Sequence, residues 1–221
     1  ADVDAYLAER GYKRLYLYSS PMPDLWADAI YVPEDSAIRL NIGAGDVVIP
    51  GFTPIDRKLG TEAYPLAYAD GSVDEIRCVH MLEHLSYREV PEALAEWNRV
   101  LKPGGRLRIS VPNAPFVAGL HQSDPNWRFY LMGGQMDEND FHKSAFDEPQ
   151  LAAYMQHSGF TGIQRWVSPN TDLACSDISL NLEGFKSVPE KTETTEDIKV
   201  RAVCGMPRIG WNDSWQSIID A

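Results

Sequence analysis

Histidines and acidic side chains occur together in two short stretches of this 221-residue chain. Residues 80–84 contain Glu83 and His84, and residues 133–143 contain Asp140 and His142. Because the ordinary pKa of histidine is close to neutral, an imidazole can accept or release a proton at physiological pH. We therefore predict His84, with Glu83 beside it, and His142, oriented by Asp140, as candidate acid–base groups.

Both stretches also have structural interpretations. His84 could cap the helix that follows it, and residues 133–143 could be an ordinary polar loop. Carboxylates and imidazoles can bind a metal ion, but no compact ligand spacing along the chain indicates such a site. No metal is predicted.

A glycine turn and an acidic residue lie earlier in the chain. Ile38, Leu40 and Ile42 predict a strand that ends at a turn containing two glycines, and a second apolar segment ends on Asp56. Glycine allows a close approach to the backbone, and free N–H groups after the turn can bind a polar ligand. A carboxylate at the end of the next strand suits a ribose diol. The pattern predicts a nucleoside-containing ligand.

A nicotinamide dinucleotide is the competing ligand. Its fingerprint requires a third glycine and an acidic residue about 20 positions further on. Val48 occupies the third glycine position, and Asp56 comes too early. The motif therefore disfavours nicotinamide binding.

Strands and helices alternate in the segments that must position these residues. Residues 73–80 and 106–111 have strand patterns, and Val90, Leu94, Trp97 and Leu101 form one apolar stripe of a helix predicted over 86–101. This alternation predicts an α/β fold with a largely parallel, doubly wound sheet. Further expected elements are a helix over 2–10, a third strand compressed into 62–66, a helix over 147–157, a strand over 160–167, an irregular insert over 168–197 and a last strand over 198–203.

Length and composition favour a single domain over 1–221, with 1–35 as an N-terminal flank or lid, 36–113 as the ligand-binding half and 114–221 as the acceptor-side half. The formal net charge of −12 makes nucleic acid an unlikely partner. Three widely spaced cysteines fit a reducing compartment. The sequence has no apolar run long enough for a membrane span and no signal-peptide pattern, so we expect a cytoplasmic protein of undetermined oligomeric state.

Four motifs resemble those of the class I S-adenosylmethionine-dependent methyltransferases, in particular small bacterial proteins of the "methyltransferase type 11" kind. They are Leu-Asn-Ile-Gly-Ala-Gly at 40–45, Asp56, the segment 72–84 ending in His-Met-Leu-Glu-His, and Asn-Arg-Val-Leu-Lys-Pro-Gly-Gly-Arg-Leu at 98–107. The resemblance implies a Rossmann-like, seven-stranded sheet in the order 3-2-1-4-5-7-6 with strand seven antiparallel. It assigns strand six to 160–167 and strand seven to 198–203.

The resemblance also implies S-adenosyl-L-methionine as cofactor, with S-adenosyl-L-homocysteine as product. The glycine loop would pass under the methionine part and Asp56 would hold the ribose. The cofactor-binding residues that it implies are Asn41, Gly43, Ala44, Gly45, Asp56, Arg57, Pro65, Leu66, His80 and Met81. Asn41 replaces an acidic residue of the family, and the short segment 43–56 implies an abbreviated first helix.

The implied reaction is in-line methyl transfer, which we expect to reach an oxygen of a small molecule or of a sugar or glycan, with a histidine base. A catalytically silent cofactor-binding or scaffold protein of the same fold is one alternative. A protein or nucleic-acid methyltransferase is another, although the acidity of the chain and the lack of an Asn/Asp-Pro-Pro-Tyr type motif disfavour nucleic acid.

Overall fold

The computed structural model describes residues 3–19, 27–33 and 36–188. The α-helices in these ranges are α1 Val3–Ala8, α2 Val90–Val100, α3 Ala114–Gly119, α4 Trp127–Met132 and α5 Glu148–His157. The strands are β1 Tyr12–Ser19, β2 Ala27–Pro33, β3 Arg39–Ile42, β4 Thr53–Ile55, β5 Val73–Val79, β6 Leu101–Pro112, β7 Phe160–Arg165 and β8 Ser179–Lys186. None of the helices in the described part of the chain is long and apolar enough to cross a bilayer.

The main sheet of the described residues has six strands in the order β4-β3-β5-β6-β8-β7. The first four strands in this order are mutually parallel, whereas β8 runs antiparallel to both β6 and β7. In the predicted family numbering this order is 2-1-4-5-7-6. The Rossmann-like α/β fold and the antiparallel seventh strand are thus confirmed. Strands β1 and β2 form a separate antiparallel pair.

Helix α2 has the amphipathic pattern predicted for it. Val90, Leu94, Trp97 and Val100 are completely buried against the sheet, and each such apolar side chain contributes about 1.5–3 kcal/mol relative to an exposed one. The helix begins four residues later than predicted because residues 86–89 form a turn, in which the Ser86 N–H donates to the Glu89 carboxylate at 2.8 Å.

The third strand predicted over 62–66 is absent from the described residues, where the chain forms bends instead. Side chains of α2 hold this segment instead of a neighbouring strand. The Glu96 carboxylate accepts from the Leu66 N–H at 2.7 Å, and the Trp97 indole donates to the Ala63 carbonyl at 2.9 Å. Because side chains satisfy these backbone groups, the segment needs no β-ladder.

Arg99 completes this attachment one helical turn further along α2. Its guanidinium donates to the carbonyls of Leu66 and Tyr68, at 3.2 and 3.0 Å, and also pairs with Asp70 and Glu96. We call Glu96, Trp97 and Arg99 the α2 clamp. These hydrogen bonds hold the connection between Asp56 and β5 against α2.

The strand between β6 and β7 is β8, which lies inside the predicted irregular insert. The assignment of strand seven to 198–203 is therefore wrong, and that segment lies outside the described residues. Leu180 and Leu182 alternate with Asn181 and Glu183, and only the leucines belong to the apolar core. This period of two is the pattern of a strand with one buried face.

The parallel strands end at one edge of the sheet. Gly43 follows β3, Asp56 follows β4, His80 follows β5 and Asn113 follows β6. Ligands of open parallel sheets bind outside the carboxyl ends of the strands. The fold therefore gathers the predicted site residues from these four strands at one place.

Candidate active site

The glycine turn after β3 packs directly against the end of β5. Gly43 has φ 68°, and a Cβ at this position would overlap the side chain of Met81. The Gly43 and Ala44 N–H groups both donate to the Ile55 carbonyl, at 2.8 and 3.2 Å. Only glycine satisfies both the left-handed backbone and the close approach, so this position holds the turn against its neighbouring strands.

Asp56 bonds both to the glycine turn and to the segment that follows it. Its Oδ2 accepts from the Gly45 N–H at 2.8 Å, and its Oδ1 accepts from the Lys58 N–H at 2.9 Å. A carboxylate has about four lone-pair sites, so each oxygen can still accept one more hydrogen bond. Asp56 is therefore fixed in place while it remains able to accept from a diol.

A cavity of about 410 Å³ lies beside this turn, and we call it the donor cavity. Six of the predicted cofactor-binding residues line it, namely Gly43, Gly45, Asp56, Arg57, His80 and Met81. The other lining residues were not predicted to bind the cofactor. They are Ile55, Lys58, Ala63, Leu85, Glu89, Asp137, Asn139 and Lys143, and also His84 and Asp140, which were predicted for catalysis. A close-packed glycine turn opposite an anchored carboxylate fits a nucleoside with an amino-acid tail.

The remaining four predicted cofactor-binding residues do not line this cavity. Asn41 is buried, and its side-chain carbonyl accepts from Arg77 Nη1 at 3.1 Å. Ala44 and Leu66 are buried, and Pro65 is exposed. Ala63, two residues before Pro65, lines the cavity in their place.

A second cavity of about 590 Å³ adjoins the first, and we call it the acceptor cavity. His80, His84 and Asp140 line both cavities and form the wall between them. Apolar and aromatic side chains from three segments line much of the remainder, namely Pro112, Phe116, Leu120, Phe129, Tyr130, Leu173 and Ile178. Glu83 and His142 also line it, so all four predicted catalytic residues border this cavity.

Glu83 is the buried centre of an imidazole cluster. Its side chain is 1% exposed, and neither carboxylate oxygen accepts a hydrogen bond. Oε1 lies 3.3 Å from His80 Nδ1 and 3.9 Å from His142 Nε2, and the His84 and His142 rings meet edge to face with centroids 4.8 Å apart. A buried carboxylate that accepts no hydrogen bond is costly, so this arrangement calls for a cation or a proton among the rings.

His142 reaches Glu83 because the polar loop 133–143 is bonded to the end of β5. The Lys143 and Ser144 N–H groups donate to the Glu83 carbonyl, at 2.8 and 3.0 Å. The carboxylate within ion-pair distance of the His142 ring is therefore Glu83, while the Asp140 carboxylate accepts from the Met136 N–H at 3.2 Å. The structure thus places Glu83 beside the His142 ring, whereas the sequence predicted that Asp140 would orient this ring.

The surroundings of His142 favour the neutral form of its ring. Burial is the largest influence and lowers the pKa of His142 below its ordinary value; the nearby His84 lowers it further, and Glu83 opposes the shift. Nδ1 lies 3.3 Å from the Leu131 carbonyl, which fixes its proton on that nitrogen and leaves Nε2 with a free lone pair. His142 can therefore accept a proton, or bind a cation, through Nε2.

His80 has an unusual backbone conformation at the wall between the cavities. Its φ is 50°, in the left-handed region that non-glycine residues seldom occupy, and its Nε2 lies 2.8 Å from the Ser179 hydroxyl. Residues held in this region cluster at functional sites, where the surrounding structure fixes them. The chain therefore turns sharply at the end of β5, at a residue that lines both cavities.

One family model and several solved structures match parts of this chain. Residues 55–109 match the model of a family described as a methyltransferase domain. The match covers 55 of the 221 residues and agrees, over that segment, with the resemblance of the motifs to those of S-adenosylmethionine-dependent methyltransferases. The search of curated proteins gave no match.

Several solved structures of methyltransferases are similar to this chain. A protein from Methanosarcina mazei is 17% identical over 68% of this chain and 92% of its own, with a TM-score of 0.49. A possible histamine N-methyltransferase from Thermotoga maritima is 18% identical over 68% and 82%, with a TM-score of 0.46. The CurJ carbon methyltransferase is 15% identical over 71% and 50%, with a TM-score of 0.46.

Proposed function

We propose that this protein transfers a methyl group from S-adenosylmethionine to a hydroxyl oxygen of a small molecule or of a sugar or glycan. The observation that carries the proposal is the wall of His80, His84 and Asp140, which borders the donor cavity on one side and the acceptor cavity on the other. In-line transfer needs the acceptor atom directly behind the methyl group, and two adjoining cavities supply that alignment.

The chain's own residues bind and orient on the donor side. When bound, S-adenosylmethionine supplies a methyl group on a sulfonium, whose carbon–sulfur bond breaks with its electron pair passing to the sulfur. Asp56 accepts hydrogen bonds from the ribose hydroxyls, and the turn at Gly43 and Gly45 leaves room for the methionine part. Met81 also lines the donor cavity, and His80 belongs to the wall.

The acceptor side supplies a base. A hydroxyl is a weak nucleophile until it loses its proton, and an imidazole near neutral pKa accepts that proton efficiently. His84 and His142 are the candidates, because both border the acceptor cavity and lie beside the Glu83 carboxylate, which balances an imidazolium charge. Asp140 lies in the wall and can orient a hydroxyl of the acceptor.

The lining favours an acceptor with both a ring and hydroxyl groups. Aromatic side chains of Phe116, Phe129 and Tyr130 offer flat apolar surfaces, while the Asp140 carboxylate offers a hydrogen-bond acceptor. The volume of about 590 Å³ is in the range of cavities that enclose a small organic molecule or a terminal sugar.

Label transfer from S-adenosylmethionine carrying a tritiated methyl group tests this function. Cell extract is separated into small-molecule, glycan, protein and nucleic-acid fractions, and each is incubated with the protein. We expect label in the small-molecule or glycan fraction. Label only in protein or nucleic acid would contradict the acceptor class, and cofactor binding without any transfer would indicate a silent binding protein.

Histidine variants test the base. His84→Ala and His142→Ala should lower turnover about 100-fold or more, while the affinity for S-adenosylmethionine stays close to that of the wild type. His157→Ala, an exposed histidine near the end of α5, is the matched control. Unchanged turnover in both site variants would remove histidine from the chemistry.

A further inference from the structure

The imidazole cluster around Glu83 has the composition and compactness of a metal site. Glu83, His84 and His142 each offer one ligand atom, and these atoms all lie within 4.8 Å of one another. Two imidazoles with one carboxylate form a ligand set typical of catalytic zinc and related divalent metals, which leave a position open for substrate.

The buried carboxylate is an independent indication. Both Glu83 oxygens are buried and accept no hydrogen bond, and a buried nitrogen of His84, Nδ1, also has no hydrogen-bond partner. Buried polar atoms of folded proteins are nearly always paired, and each exception asks for an explanation. A cation bound among these three side chains would satisfy the carboxylate and the rings together.

The surroundings of His142 match those of a metal-binding histidine. Its Nδ1 lies 3.3 Å from the Leu131 carbonyl, and its Nε2 faces Glu83 at 3.9 Å. Histidines that bind metals almost always donate their other ring N–H to a carbonyl or carboxylate, which fixes the tautomer and the ring orientation. Nε2 is left with the lone pair that a metal requires.

We propose that Glu83, His84 and His142 bind a divalent transition-metal cation at the floor of the acceptor cavity, with an open position facing that cavity. This inference rests on the proposed function in one respect: the expected occupant of the open position is the acceptor hydroxyl. It also changes how that hydroxyl is activated, because the two imidazoles coordinate the cation instead of accepting the proton.

The distances allow such a site with a small contraction. Tetrahedral ligands bound at about 2.0–2.1 Å lie roughly 3.3 Å from each other. The Glu83 and His142 ligand atoms are 3.9 Å apart, and the widest separation in the cluster is 4.8 Å. The cluster must therefore contract from these separations to about 3.3 Å when an ion binds.

The cation would lower the pKa of the coordinated acceptor hydroxyl. The O–H bond breaks and its proton passes to solvent water at the cavity mouth. The oxygen then forms a bond to the methyl carbon of S-adenosylmethionine as the carbon–sulfur bond breaks, and the electron pair of that bond stays on the sulfur of S-adenosylhomocysteine.

Calorimetric titration of the chelator-treated protein with Zn²⁺ and with Co²⁺, in the absence of S-adenosylmethionine, tests the site directly. We expect one ion per chain, and a visible Co²⁺ spectrum of the tetrahedral type. Glu83→Gln and His142→Ala should each weaken binding at least roughly 100-fold. His157→Ala should bind as the wild type does. Circular dichroism of each variant checks that it is folded.

The outcomes separate this inference from the proposed function. No stoichiometric binding by the wild type, with label transfer unaffected by chelator, would overturn the metal site and leave the histidine base. Binding that is unchanged in both Glu83→Gln and His142→Ala would also overturn it. Binding lost in these variants, with no label transfer into any extract fraction, would support the site and contradict the proposed function.

Discussion

Asp56 connects the two chain segments that bound the donor cavity. Its two oxygens accept from Gly45 and Lys58, so one side chain fixes the turn after β3 relative to the segment after β4. The same carboxylate faces the cavity and has free lone pairs for a ligand diol. We propose that this one residue both holds the loop in place and binds the ribose of the cofactor.

Replacement of this carboxylate should weaken cofactor binding. Asp56→Ala should reduce the affinity for S-adenosylmethionine by roughly 10- to 100-fold, because a hydrogen bond to a charged group contributes about 1.5–3 kcal/mol. Isothermal titration calorimetry measures this change. Asp46→Ala is the control, since the Asp46 carboxylate is on the same turn but is 93% exposed. Equal affinities of the wild type and Asp56→Ala would contradict the assigned role.

The sequence indicated most of these residues but not all of their partners. Gly43, Asp56 and His80 directly follow strands with clear patterns, so their convergence at the sheet edge was predictable. The contact of His142 with Glu83 was not, because it depends on how a long polar loop returns to the sheet. Spacing along the chain carries no signal for such a contact.

Among the elements, the α2 clamp explains how the fold dispenses with a third strand. One helix holds the backbone of the segment 62–70 through hydrogen bonds of three side chains, namely Glu96, Trp97 and Arg99. The apolar stripe of α2 predicted the helix itself. Its polar attachments could not be predicted, because Glu96 and Arg99 have the spacing of an ordinary exposed salt bridge on a helix.

The clamp should make stability depend on pH. A hydrogen bond from Arg99 is the main influence that lowers the pKa of Glu96 in the folded state. As the pH falls below about 4.5, the unfolded chain takes up a proton at Glu96 before the folded chain does. The stabilisation is therefore present above that pH and is lost as the pH falls through the lower folded pKa.

Glu96→Gln should show a smaller loss of stability between neutral pH and about pH 3.5 than the wild type. At neutral pH it should cost about 1–3 kcal/mol of unfolding free energy, because the charged hydrogen bonds are weakened. Urea denaturation across this pH range measures both effects. Glu92→Gln, on the exposed surface of the same helix, should follow the wild-type profile. Identical pH profiles for the wild type and Glu96→Gln would contradict the clamp.

The loop 133–143 is the second element on which the site depends. Asn139 accepts from Arg57 Nη1 at 2.7 Å, and both residues line the donor cavity. This hydrogen bond connects the loop to the segment after Asp56 and so helps to retain the cofactor.

Asn139→Ala should therefore speed the release of S-adenosylhomocysteine a few-fold, since an exposed hydrogen bond contributes about 1 kcal/mol. Stopped-flow displacement of the product, followed by tryptophan fluorescence, measures the release rate. Glu138→Ala, at the neighbouring exposed position, should release product at the wild-type rate. An unchanged rate for Asn139→Ala would show that the loop contact does not retain the ligand.

For the whole molecule, the order of the sheet could be predicted and the position of one strand could not. The motifs at 40–45, 72–84 and 98–107 predicted the strands of the parallel half of the sheet and their order. Strand β8 was missed because residues 169–178 before it form bends, turns and a short 3₁₀ helix, and a short alternating segment inside a long irregular stretch resembles a loop. In the structure, the pairing of β8 with both β6 and β7 identifies this segment as a strand.

The charge of the whole chain also has a consequence. A net charge of −12 repels phosphate backbones, and nucleic-acid affinity usually depends on basic contacts. Fluorescence anisotropy with labelled single-stranded RNA and duplex DNA at about 100 mM salt should show no saturable binding. Saturable binding that weakens as salt is raised would contradict a small-molecule or glycan acceptor.

A crystal structure of the protein with S-adenosylhomocysteine tests the arrangement of donor and acceptor most directly. The account predicts electron density for the product in the donor cavity, with the ribose at Asp56 and the sulfur facing the wall of His80 and His84 that borders the acceptor cavity. Density outside this cavity, or a sulfur directed away from the shared wall, would contradict methyl transfer between the two cavities.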